Sequence, residues 1–78
     1  MTNETIATEH HTYHGWPIRV TCEFQAAENT FAARSFVAPA GQGERATPGA
    51  AAVGASSGDA KALALKAARK YIDSILVD

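Results

Sequence analysis

The chain predicts a small α+β domain: an antiparallel β-hairpin, or a three-stranded sheet, packed against a single C-terminal α-helix. Three observations carry this. Ile18, Val20, Cys22 and Phe24 alternate with Arg19, Thr21, Glu23 and Gln25. A second segment of the same character, Phe31 to Ala38, follows a polar turn. Asp59 to Val77 then places its apolar residues at helical spacing. A period of two marks a half-buried strand, and a period near 3.6 marks an amphipathic helix.

Residues 1–11 are largely polar, with Ile6 as an isolated apolar side chain, and read as a flexible N-terminal tail that leaves room for a weak strand or helix turn. The domain is expected over residues 12–78. Tyr13-His14-Gly15-Trp16-Pro17 reads as a turn, because Gly15 accepts backbone angles that other residues resist and Pro17 fixes its own. Pro17 lacks an N–H and so belongs at a strand start or on an edge.

The first strand runs from about Ile18 to Gln25, with Ile18, Val20, Cys22 and Phe24 on one face. Ala26 to Asn29 forms the turn, and two registers fit. A four-residue loop pairs Phe24 with Phe31, Cys22 with Ala33 and Ile18 with Val37. A two-residue loop at Glu28-Asn29 pairs Phe24 with Ala33 and Val20 with Val37. Both put Phe31, Ala33, Ser35 and Val37 on the apolar face, since only a one-residue slip exchanges the faces. Phe36 is left on the outer face with Arg19, Thr21 and Arg34. An exposed aromatic there is either shielded by long neighbours or a contact residue for a partner. Arg19, Arg34 and Phe36 are therefore the candidate interaction surface.

Residues 39–58 are rich in Gly, Ala, Ser and Pro. So long a structureless loop is unusual in a small domain. A third short strand is expected within residues 50–55, after a mobile Gly/Ala-rich loop at about 39–49. Ser56, with Asp59 three residues on, fits a capped helix start. In the helix, Ala60, Ala64, Ala67, Ala68, Tyr71, Ile72 and Ile75 fall on one side. Lys61, Lys66, Arg69, Lys70 and Asp73 fall on the other. The alanines allow close approach to the sheet, and Tyr71, Ile72 and Ile75 are expected against Trp16 and Phe24.

Composition narrows the function classes. With 78 residues the chain holds one small core, good for roughly 3–5 kcal/mol of stability. The net charge of −1 carries no block of like charge. Nucleic-acid binding wants an excess of positive charge along one face. The basic helix face of Lys61, Lys66, Arg69 and Lys70 supplies a local patch, so RNA or DNA binding is a runner-up and is not favoured. The single cysteine, Cys22, falls in the apolar phase of its strand and reads as a small buried hydrophobe. The absence of disulfide staples suggests a reducing compartment. No signal peptide and no membrane span are read, and the cytoplasm is the expected location.

Catalytic chemistry finds no motif. His10, His11 and His14 are metal-ligand types near Cys22, yet no second ligand group follows at a finger-like spacing. They are the candidate metal residues, and no metal site is expected from them. Ser56 and Ser57 read as helix caps rather than nucleophiles. Gly41-Gln42-Gly43 does not join a strand to a helix, as a phosphate-cradling loop must. No cofactor and no enzymatic activity are expected.

Tyr13-x-Gly15-Trp16-x-Ile18, Phe31 after the turn, and Ala68-Arg69-Lys70-Tyr71-Ile72-Asp73 together resemble a group of small uncharacterised proteobacterial proteins. These have a short antiparallel sheet, one C-terminal helix and no assigned activity. The resemblance covers about residues 13–38 and 59–73, and it transfers no functional residues. The chain departs from that pattern in lacking an aromatic just before the helix. The β-β-β-α order is also similar to the partial double-stranded-RNA-binding fold of HicB-type antitoxins, on element order alone. The leading expectation is a non-enzymatic protein-interaction module, with an unknown protein or a second copy of itself as partner. The alternative is an antitoxin-like regulator using the basic helix face.

Overall fold

A computed structural model describes residues 4–39 and 41–76. Residues 1–3 of the expected tail, Ala40 of the expected loop, and Val77 at the expected helix end lie outside them. Among the described residues, five strands precede one helix: β1 (Glu4–Tyr13), β2 (Trp16–Gln25), β3 (Thr30–Val37), β4 (Arg45–Ala46), β5 (Ala52–Gly54) and α1 (Ser57–Leu76). All strand pairs are antiparallel, in the order β1-β2-β3-β4, with β5 also pairing β3. The α+β class and the single C-terminal helix are as the sequence predicts. The third strand expected within residues 50–55 is β5.

The expected tail is corrected. Glu4–Tyr13 pairs along most of β2, from Glu4 opposite Phe24 to Tyr13 opposite Trp16, with an irregularity between Thr5 and Ala7. The physical reason lies in the turn. His14 and Gly15 both take positive φ, 53° and 79°. That is the backbone of a two-residue type I′ loop, whose twist matches the strands it joins. The expected loop at 39–49 is corrected in part, because Arg45–Ala46 forms the two-residue strand β4 against Val37 and Phe36.

Between β2 and β3 the four-residue loop holds: Phe24 opposes Phe31, Cys22 opposes Ala33 and Ile18 opposes Val37. Asn29 closes that loop at φ 54°, a left-handed conformation that asparagine tolerates. The Phe24 and Phe31 rings pack 5.2 Å apart.

The core lies between β2, β3 and the helix. Ile18, Val20 and Cys22 of β2 face Ala60, Ala64, Ala68 and Ile72 of α1, with Ala33 and Val37 of β3 completing the cluster. The four helical residues recur every fourth position, which keeps them on one narrow stripe. Three of them are alanines, so the backbone can approach the sheet closely. Twenty residues make α1 about 30 Å long. Ten residues make β2 about 33 Å long, so the helix runs the length of its sheet.

The Ser56 hydroxyl accepts the Asp59 N–H at 3.1 Å, the expected cap. Tyr71 and Trp16 pack on the core as expected, but Phe24 sits at the other end of β2, opposite Phe31, which in turn faces Gly54 of β5. Ala67 and Ile75, expected inward, are exposed.

Candidate interaction surface

The helix covers one sheet face and leaves the other open. The open face is arranged in cross-strand rows: His10, Arg19, Phe36 and Ala46 in one, and Thr8, Thr21 and Arg34 in the next. The three residues named from sequence therefore share this face. They do not form a free apolar patch. The Arg19 guanidinium lies 4.3 Å above the Phe36 ring centre. Its Nε and Nη2 donate to the two Glu44 carboxylate oxygens at 3.0 and 2.8 Å. This two-pronged bond holds the arginine over the ring, and Phe36 is half-buried beneath it. The same bond pulls the Glu44 carboxyl below its ordinary range and pushes the guanidinium further up. Arg34 stays exposed.

The basic helix residues do not act as one face. Lys61 follows the buried Ala60 and flanks the core stripe. Its Nζ donates to Glu9 Oε2 at 2.8 Å. That bond, followed by the contact of His11 with Glu9, lowers the Glu9 carboxyl below its ordinary range. Arg69 stands 5.9 Å from the Tyr13 ring centre. Lys66 and Lys70 are exposed on the far side of the helix, close to Asp59 and Asp73 in the helical projection.

The histidines are not brought together. Adjacent strand residues face opposite ways, so His10 lies on the open face and His11 on the helix face. His11 Nε2 is 3.1 Å from Glu9 Oε1, and His14 Nε2 is 3.7 Å from Asp73. Among the described residues, no group of three His, Cys, Asp or Glu side chains is placed to hold a metal ion.

A cleft of about 80 Å³ opens where β3 changes partner from β5 to β4, lined by Ser35, Thr47, Ala51, Ala64 and Ala67 among others. Ligand pockets run to roughly 300–1,000 Å³. Its one buried polar side chain, Ser35, is satisfied by donating to Thr47 Oγ1 at 2.8 Å.

The feature that sequence reasoning missed is the outer edge of β1. Along an antiparallel strand, successive residues aim their backbone groups to alternate sides. The Ala38 N–H donates to the Pro17 carbonyl at 3.1 Å, so Pro17 and the odd-numbered residues of β2 face β3. The even-numbered residues Ile18 and Val20 then face β1, where they meet His11 and Glu9. Thr8, His10 and Thr12 are left with N–H and C=O pointing out of the sheet. No proline or lysine guards Thr8–Thr12, although such residues commonly blunt edge strands. The opposite edge is broken into β4 and β5, of two and three residues.

The signal for β1 lay in Thr5, Ile6, Thr8, Thr12 and Tyr13, which suit strands, and in a His-Gly pair between two segments of equal length. No helix among the described residues is long and apolar enough to cross a membrane. Comparison with protein-family models, curated proteins and solved structures finds no match.

Proposed function

We propose that the chain is a non-enzymatic interaction module that works by associating with a second copy of itself through its sheet. One observation carries the reading: β1 is a ten-residue outer strand whose outward N–H and C=O groups, at Thr8, His10 and Thr12, have no strand beside them among the described residues. Adding a strand to such an edge is a general mode of protein recognition. The small Ser35 cleft and the dispersed histidines favour binding over catalysis. The engagement of Lys61 by Glu9, and the mixing of Lys66 and Lys70 with acidic residues, favour a protein partner over nucleic acid. The single buried thiol of Cys22 fits a reducing compartment such as the cytoplasm.

Sedimentation equilibrium across a wide concentration range tests the reading, since a self-associating chain gains mass with concentration. His10→Pro removes an outward N–H that no strand among the described residues pairs with, and edge strands tolerate proline on that side. It is expected to abolish association while the fold survives. Phe36→Ser tests the open face instead. If the native chain sediments as a monomer throughout, the reading is wrong.

A further inference from the structure

Self-association through β1, on which this inference rests, leaves the pairing register open, and the charges on β1 select one. Two copies related by a two-fold axis pair antiparallel, and hydrogen bonds form only if outward residues meet outward residues. Three registers oppose at least two of Thr8, His10 and Thr12 in each copy to such residues of the other. Centring the axis on Glu9 sets that carboxylate against its own copy. Centring it on His11 sets imidazole against imidazole on the helix-bearing face. Centring it on His10 sets Glu9 against the partner's His11, and His11 against the partner's Glu9. Within one chain Glu9 and His11 already share that face and lie 3.1 Å apart, so the two copies bring four complementary groups together.

The same register places Thr8 opposite the partner's Thr12 on the open face, a favourable cross-strand pair. It also yields about six backbone hydrogen bonds, two from each of three outward pairs. The irregularity between Thr5 and Ala7 ends the regular edge just before this segment. We propose that two copies of this chain join β1 to β1 antiparallel about a two-fold axis at His10, with Glu9 of each opposite His11 of the other. The product is one continuous sheet with both helices on the same face.

Cysteine cross-linking reads the register directly. Opposed residues of a hydrogen-bonded pair have Cα atoms about 5.5 Å apart, within disulfide range. The native Cys22 is buried and does not compete. Under mild oxidation His10→Cys is expected to give a covalent dimer. Thr8→Cys alone is not, and Thr8→Cys combined with Thr12→Cys is. His11→Glu should weaken the dimer by roughly tenfold, because it creates two like-charge pairs. Adding Glu9→His to it restores opposite pairing and should recover most of the loss. Far-UV circular dichroism of each variant checks that the fold persists. If the native chain dimerises but His10→Cys cross-links no faster than Thr8→Cys, this register is wrong and self-association stands. If the native chain is a monomer, both fall.

Discussion

Gly54 of β5 stands so close to Ala60 of α1 that a Cβ on the glycine would lie 2.9 Å from the Ala60 nitrogen and 3.0 Å from Asp59 Cβ. Both obstacles belong to the first turn of the helix. The Ala60 N–H donates to the Ser56 carbonyl at 3.1 Å, and the Asp59 N–H donates to the Ser56 hydroxyl, so this turn is doubly held. It cannot yield without loosening its cap. Gly54→Ala is therefore expected to destabilise the domain by roughly 1–3 kcal/mol, the range for overpacking. Urea denaturation measures it, and an unchanged midpoint would show that the turn moves aside freely.

Burial explains which parts of this fold were readable in the sequence. β2 was legible because Ile18, Val20 and Cys22 all point at one helix, and α1 because Ala60, Ala64, Ala68 and Ile72 answer them. The face of Phe36 followed from the same alternation. β1 was not legible because its helix-facing positions, Glu9, His11 and Tyr13, meet the polar flank of α1. Lys61 bonds Glu9, and Asp73 bonds Tyr13. Those contacts leave no apolar alternation to detect. β4 was invisible because both its residues are exposed. The arginine cover over Phe36 depends on Glu44, twenty-five residues from Arg19, and local pattern does not reach that far.

The turn at His14 offers a second test. Its φ of 53° lies in the left-handed region, where a β-branched side chain is strained and asparagine is not. His14→Val should lower stability by about 1–2 kcal/mol. His14→Asn should match or exceed the native stability. Equal melting of the two variants would mean that the loop does not hold this conformation.

Cys22 has no exposed surface, and burial pushes its thiol above the ordinary range. Thiolate is the reactive form, so both access and ionisation oppose modification. In native buffer the chain should resist a thiol-specific disulfide reagent, and in denaturant it should react stoichiometrically. Rapid labelling of the folded chain would mean that the β2 core opens far more readily than its packing implies.

The Tyr13 hydroxyl ties the β1–β2 turn to the end of the helix, donating to the two Asp73 carboxylate oxygens at 2.9 and 3.1 Å. The bond to Asp73 is the main cause of a phenol held above its ordinary value of 10.0, with desolvation and the carboxylate charge adding to it. The folded state thus prefers the protonated phenol. Its contribution to stability is fully present below about pH 10 and is lost as pH rises through the folded value, because there the unfolded chain binds fewer protons. Tyr71 is the other tyrosine, so a Tyr71→Phe background isolates the Tyr13 phenolate absorbance. In that background Asp73→Asn should bring the Tyr13 titration back toward 10.0 and flatten the alkaline fall in stability. A titration that ignores the substitution would mean that the turn and the helix end are not joined in solution.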